Sequence, residues 1–413
     1  MNILLTSTLV PSAPSGLRVH YERLAEQLRQ QGHTVTLITP DSQRLVIRRS
    51  IGAVRRGLKL LMGRFGNQIG IELGYIAEIY FAIDRSIAYD VVNAQDVSSG
   101  WAAHLALAGR VPVVVTGHFN DHPAEELVHQ QHFGGLTARF LHRWYGFLLR
   151  RTHFFIGVSD YVRQRSVPWL APDAHHTVVY NGVAMNLKVP TTPPAAATNL
   201  RQQFPGRPIL LNVGQLEARK NQRFLIPVAA ELRRQGLDFV LALVGRGEDE
   251  ALLQQLIKEA DLTNHVFLLG YHRDVMALLR TADVYVHTAL RENCPLVLIE
   301  AMAARCPAVA LAVGGIPELL APTPEALISP TAAPDVLAQG LADLLKSTER
   351  RAQLQQTQLT FAATHFDSSV MLADTLAFFH EARQILGLPA LAAPTVAPAP
   401  PTYAYALSAE EHH

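Results

Sequence analysis

The sequence predicts an α/β protein built from two parallel, doubly wound sheets. Three observations carry that prediction. Short apolar runs alternate with longer segments of helical spacing, the pattern of βαβ units. A Pro- and Ala-rich stretch, residues 187–207, separates two such series. A length of 413 residues suits two domains, each able to bury its own core.

In the first series, Asn2–Ser7 reads as a strand. A loop with Pro11, Pro14 and Gly16 follows. A helix is expected over Val19–Gln31, stopping at Gly32, and then a strand over Thr34–Thr39. Further strands are expected at Asp90–Ala94, Pro112–Thr116, Phe154–Val158 and Thr177–Tyr180. The segment Thr116–His122 leaves a buried-looking strand, and strand carboxyl ends in doubly wound sheets are where ligands bind. His118, His122, His129 and His132 gather there. Their spacings match no strong zinc pattern, so a mobile polar loop is expected instead of a metal site.

Charge is uneven along the chain. Residues 1–190 carry 19 Lys+Arg against 13 Asp+Glu, whereas residues 191–413 carry 17 against 22. A basic half joined to an acidic half suggests that the first half meets something anionic. Its oddest part is residues 42–71. Arg44, Arg48, Arg49, Arg55, Arg56, Lys59 and Arg64 fall there with no acid between Asp41 and Glu72. They alternate with Ile47, Ile51, Leu58, Leu60, Leu61, Met62 and Phe65. Such a basic amphipathic segment suits an anionic bilayer, here over residues 44–65, or is simply a solvated helix. A second basic-aromatic stretch is Arg139–Arg151. No nucleic-acid recognition motif accompanies either, so no nucleic acid is expected as partner.

In the second series, strands are expected at Ile209–Val213, Phe239–Val244, Val266–Leu269 and Val284–His287. Helices are expected at Asp249–Ala260, Val275–Arg280, Pro334–Leu345, Glu349–Ala363 and Ser368–Leu386. The tail from residue 387 is Pro- and Ala-rich and is expected to be disordered. The start MNILLTSTLV lacks the basic region of a signal peptide. No apolar run reaches the roughly 18 residues of a spanning helix. The two cysteines, Cys294 and Cys306, flank an expected helix and are too far apart to pair, which fits a reducing, cytoplasmic compartment.

The most informative stretch is Glu292–Glu318. Glu292 is followed by seven residues and then Glu300. Pro295 is expected at the first position of the intervening helix. Glu292 and Asn293 then lie on the preceding loop and Glu300 inside the helix. The N–H groups of Leu296 and Val297 would face an anion, most naturally a phosphate. Two carboxylates flanking an anion site suit a nucleotide-sugar. A strand at Ala308–Leu311 and the Gly314–Gly315 turn complete the motif.

This segment, with Glu300-Ala301-Met302-Ala303 and Gly314-Gly315-Ile316-Pro317-Glu318, resembles the signature of glycosyltransferase family 4. Gly32-His33-Thr34-Val35, Asn181-Gly182-Val183 and Gly214-Gln215-Leu216 with Lys220 resemble further landmarks of that family. The resemblance implies a GT-B fold, two Rossmann-like αβα domains facing each other across a cleft. The implied division is residues 1–186 on the acceptor side, a linker at 187–207 and a donor domain at 208–366. A helix at 367–386 crosses back to the first domain, and a tail covers 387–413.

The implied activity is retaining transfer of a sugar from a UDP- or GDP-sugar to a sugar or lipid-linked acceptor. A role in surface polysaccharide or glycolipid synthesis follows, with no cofactor and no metal. His118, Glu292 and Lys220 take the catalytic roles. Gly16, Gln215, Arg219, Lys220, Gly245 and Tyr271 join Glu292, Asn293, Cys294, Pro295, Leu296, Val297 and Glu300 at the donor. Two positions depart from the family pattern. Ser15 stands for the first of two glycines, and Gln215 stands for an Arg. Arg219 is the candidate to replace the missing charge. The alternatives are a non-catalytic binding or scaffold protein and a nucleotide-sugar epimerase of the same fold.

Overall fold

A computed structural model of the chain describes residues 1–9, 16–43, 45–185 and 199–389. Ser15, most of the 187–207 stretch and the tail beyond 389 lie outside the described residues.

The chain forms two parallel six-stranded sheets. The first holds β1 (Asn2–Thr6), β2 (Thr34–Ile38), β3 (Val91–Ala94), β4 (Val113–Gly117), β5 (Phe154–Gly157) and β6 (His175–Val178), in the order β2-β1-β3-β4-β5-β6. The second holds β7 (Ile209–Val213), β8 (Val240–Val244), β9 (Val266–Gly270), β10 (Val284–His287), β11 (Ala308–Leu311) and β12 (Leu327–Ile328), in the order β12-β11-β10-β7-β8-β9. The strands read as continuous apolar runs because helices cover both faces of each sheet. Leu241, Leu243 and Val284 pack against the helices Leu225–Arg234 and Pro334–Lys346, while Ala242 and Tyr285 face the helix Leu296–Ala303 on the other side.

The last helix, Ser368–Ile385, buries Met371, Leu372, Phe378 and Phe379 against Ile3, Leu5, Leu24 and Phe154 of the first half. Arg383 of that helix bonds the carbonyl and the carboxylate of Asp90.

Several expectations change. The segment containing His122, His129 and His132 is not a mobile loop. Residues Pro123–Gln131 are helical, with Pro123 at the first position and Glu125 and Glu126 in the first turn. His122 caps this helix through Ala124 N–H, His129 bonds its own helix at the Glu125 carbonyl, and His132 ends the helix at φ 50°. Residues 199–207, read by composition as linker, include the helix Leu200–Gln203. Leu200 is fully buried there, and Arg201 pairs with Asp283 at 2.7 Å. The basic segment is part of a long helical element, Leu45–Ala82, broken at Gly63. Helices at Val97–Ala106, Gly135–Leu149 and Asp160–Ser166 were not foreseen as helices.

Candidate active site between the two sheets

The carboxyl ends of the two sheets face each other, and residues leaving the strands make the site. On the second half, β7 runs into Gly214-Gln215-Leu216 and β8 into Gly245-Arg246-Gly247. These turns touch. A Cβ at Gly245 would lie 1.9 Å from the Gly214 carbonyl oxygen, and one at Gly247 would lie 2.1 Å from that of Leu216. Gly245 also has φ 143°, so glycine is needed on both counts.

The charged centre is Glu292. Lys220 Nζ and Arg219 Nη1 both reach its Oε1, the second at 3.2 Å, and the buried His287 Nε2 is 3.9 Å from the same oxygen. Burial pushes the Glu292 carboxyl up, but Lys220, His287 and Arg219 outweigh it and hold the group below its ordinary range. Tyr285 Oη lies 2.8 Å from His287 Nδ1. Burial lowers the His287 pKa to about 4, so its ring is neutral at pH 7.

The loop carrying Glu292 and Asn293 is fixed from below. A Cβ at Gly314 would lie 1.8 Å from the Glu292 carbonyl oxygen, and one at Gly315 would lie 2.0 Å from that of Asn293. Gly315 N–H donates to the Glu292 carbonyl at 3.1 Å. The glycine pair of the motif is therefore a cradle for the two residues that precede the helix.

Pro295 caps the helix Leu296–Ala303 and is not its first residue. Its carbonyl accepts from Leu298 N–H at 3.1 Å. Leu296 and Val297 are the first two helical residues, and their N–H groups have no acceptor inside the helix. Across from them is Gly16, where a Cβ would be 3.9 Å from Leu296 Cδ1. Glu300, one turn further on, accepts from Arg23 of the helix Gly16–Gln30 at 3.0 Å.

Beside Arg23, the first half supplies a neutral stretch of wall around His118. His118 follows β4, and its Nε2 lies 3.1 Å from Gln95 Oε1. Gln95 Nε2 donates to Asn93 Oδ1 at 2.6 Å, which turns the Gln95 carbonyl oxygen toward the histidine. Nε2 of His118 then carries the proton, and Nδ1 is left as an acceptor. Burial and the neighbouring His20 hold His118 well below its ordinary pKa. His20, whose ring is 4.9 Å away, is lowered to about 4, chiefly by burial.

Asn293, Cys294 and Glu318 of the second half bond to the first half beside the site. Asn293 Nδ2 donates to the His118 carbonyl at 2.8 Å. Asn181 Nδ2 donates to the Cys294 carbonyl at 2.7 Å, and Asn181 N–H donates to the Cys294 sulfur at 3.3 Å. Glu318 accepts from Asp160 N–H and Tyr161 N–H, each at 2.7 Å, and from Tyr180 Oη at 3.0 Å. It thereby closes the start of the helix Asp160–Ser166.

The structure thus gathers His118, Lys220, Arg219, Glu292, Asn293, Leu296, Val297, Glu300, Gly16 and Gly245 around one region. It turns the Cys294 thiol away from that region, toward Asn181, and burial raises that thiol to about 12. Gln215 and Tyr271 are exposed, Tyr271 at 69%. Sequence reasoning missed Arg23, Gln95, His20 and His287. Asn93 and Gln95 were findable, since polar residues at the end of a buried strand mark a site in such sheets.

Residues 14–187 match the family model of Glycosyltransferase Family 4, and residues 199–359 match that of Glycosyl transferases group 1. A phosphatidyl-myo-inositol mannosyltransferase of Mycolicibacterium smegmatis is 27% identical over 348 residues, 82% of this chain and 83% of that protein. A glycogen synthase of Mycobacterium tuberculosis is 26% identical over 348 residues, 77% of this chain and 80% of that protein. Anabaena HepE in complex with UDP superposes with a TM-score of 0.66 at 22% identity, covering 91% of this chain and all of that one. Sucrose-phosphate synthase of Thermosynechococcus elongatus gives 0.68 at 18% identity, covering 94% of this chain and all of that one. Two parallel sheets meeting at their carboxyl ends, and two family models that between them span most of the chain, lead to one conclusion: the protein is a glycosyltransferase of family 4, with the GT-B fold.

Proposed function

We propose that the protein moves a sugar from a UDP- or GDP-sugar to an acceptor hydroxyl, with retention of anomeric configuration and without a metal ion. The observation that carries this is the cation pair Lys220 and Arg219 on Glu292, beside the free N–H groups of Leu296 and Val297. Loss of a nucleoside diphosphate leaves negative charge on the leaving group. Fixed cations and helix N–H groups stabilise that charge where it develops. Arg219 then supplies the charge that Gln215 lacks. Glu300, held near the helix start, takes the ribose hydroxyls once the donor displaces Arg23.

Glu292 positions the sugar and does not attack it. A carboxylate tied to Lys220 and Arg219 and held below its ordinary pKa is a weak nucleophile. Retention then comes from front-face attack guided by the departing phosphate. Neutral His118 offers Nδ1 to a sugar hydroxyl from the opposite half.

The acceptor is proposed to be lipid-linked, in surface polysaccharide or glycolipid synthesis, with the protein resting on an anionic membrane surface. The phosphatidyl-myo-inositol mannosyltransferase among its relatives supports a lipid acceptor, and HepE with UDP supports the donor class.

A thermal-shift panel of UDP, GDP and ADP and their sugars tests the donor site, with and without EDTA. A ligand that binds only the folded state raises Tm by mass action. The expected result is a shift with one base, unaffected by EDTA and lost in Glu300→Ala. No shift with any nucleotide at millimolar concentration overturns the proposal.

A further inference from the structure

The helical element Leu45–Ala82 is a hairpin. Gly63, at φ 59° and ψ −138°, turns the chain, and the two arms run back along each other. Glycines on the second arm let them close. A Cβ at Gly66 would lie 2.1 Å from the Leu58 carbonyl oxygen, one at Gly70 would lie 3.0 Å from Arg55 Cα, and one at Gly74 would lie 3.3 Å from Ile51 Cγ2. The second arm packs on the body of the first half through buried Gln68, Glu72 and Ile79. The first arm is the outer layer.

That outer arm carries apolar residues on its outward face as well as the half-buried Ile47, Ile51 and Leu58. Val46, Val54, Leu60 and Leu61 are 75%, 64%, 88% and 81% exposed. With Ser50, Ala53 and Gly57 they recur at helical spacing and form one outward arc. Arg48 is bonded back to Asp41 at 3.0 Å, and Arg55 to Asn67 at 3.2 Å. Arg49, Arg56 and Lys59 are exposed along one border of the arc. An apolar arc bordered by cations is the design of a helix lying in a bilayer interface. Single exposed apolar residues need no account, but Val46, Val54, Leu60 and Leu61 on one arc do. No helix among the described residues is long and apolar enough to cross a membrane.

We propose that the outer arm and tip of this hairpin, residues 46–64, are the membrane-docking element, and that they sink into the interface of an anionic lipid bilayer. This deepens, and rests on, the membrane contact proposed above. The hairpin also reaches the site. Phe65 packs edge-on against Phe140 at 5.9 Å, and Arg64 stacks on Phe133 and bonds the Gln131 carbonyl at 3.2 Å. Gln131 ends the helix that begins five residues after His118, and nine helical residues span about 14 Å. Docking through the tip would set the bilayer about one helix length from His118, within reach of a lipid-linked acceptor.

Vesicle flotation tests this, with phosphatidylcholine alone and with equal parts phosphatidylcholine and phosphatidylglycerol. The variants are Leu60→Asp with Leu61→Asp, and Arg49→Gln with Arg56→Gln and Lys59→Gln. Both sets are exposed, and melting curves confirm that each variant folds. The expected result is binding to the anionic vesicles only, lowered at least tenfold by either set. A Leu61→Cys variant carrying an environment-sensitive dye should shift to the blue on the same vesicles, since both native cysteines are buried. Wild type that fails to float overturns both the hairpin role and the membrane contact. Wild type that floats, with variants that float equally well, overturns the hairpin role alone.

Discussion

The two walls of the site reach the same place by opposite physics. Around His118 the wall of the first half is polar but neutral, and the charge of Arg23 is turned onto Glu300. His20 and His118 are stripped of charge by burial, and a chain of amides from Asn93 through Gln95 orients His118. The wall of the second half is charged, with Lys220, Arg219 and Glu292 in mutual contact. A charged wall suits a leaving group that gains charge. A neutral wall suits hydroxyl groups, which need direction and not attraction. On the proposed reaction, the diphosphate would lie against the charged second half, and neutral His118 would meet a sugar hydroxyl from the first.

The sharpest way to break that division is Lys220→Ala. Removing a fixed cation from a developing charge should cost about 10²- to 10³-fold in kcat. It also leaves Glu292 partly buried with less compensation, so Tm should fall. Adding Glu292→Gln should restore Tm and not activity. Recovery of both would show that Lys220 serves only the carboxylate.

The neutral histidines make a second test, through pH. His20 and His287 titrate near 4 when folded and near 6.5 when unfolded, and His118 is shifted the same way. Between these values the unfolded chain binds protons that the native one refuses. Stability should therefore be complete above about pH 6.5 and fall as pH drops toward 4, by ~1.4 kcal/mol per pH unit for each histidine. A Tm that stays flat from pH 7 to 4.5 would contradict the neutral wall. His20→Gln should flatten part of the slope.

His118→Ala should cost about tenfold in rate, the worth of one or two hydrogen bonds and far less than a general acid. The rate of the wild type should show no ionisation near pH 6.5. The smallest effect expected is that of Gln215→Arg. The side chain is exposed, so the added charge should tighten donor binding only a few-fold, and less at high salt. A large gain would mean that Arg219 does not fill the missing role.

Strands were the most legible part of the fold, because buried parallel strands leave apolar runs. Helices without a period were not. Val97–Ala106 is buried on most sides, so it shows no amphipathic stripe, and only Asp96, which caps it through Ser99 N–H at 2.8 Å, announced it. The histidines at 122–132 suggested a loop, although Pro123 and the two following glutamates were start signals for a helix. In the site, the motif from Glu292 to Glu318 was readable because its parts are near in sequence. The contacts that join the halves were not, since Arg23 meets Glu300 across 277 residues and Tyr180 meets Glu318 across 138. No local pattern announces such pairs.

The two buried thiols give the molecule a pair of built-in clocks. Cys294 lies in the seam between the halves, its sulfur against Asn181, while Cys306 is 1% exposed inside the core of the second half. A thiol reagent reaches the first when the seam parts and the second only when the core opens. The labelling rate of Cys294 should thus exceed that of Cys306. A bound nucleotide-sugar should slow the first clock more than the second, so the breathing of the seam can be timed without any engineered probe.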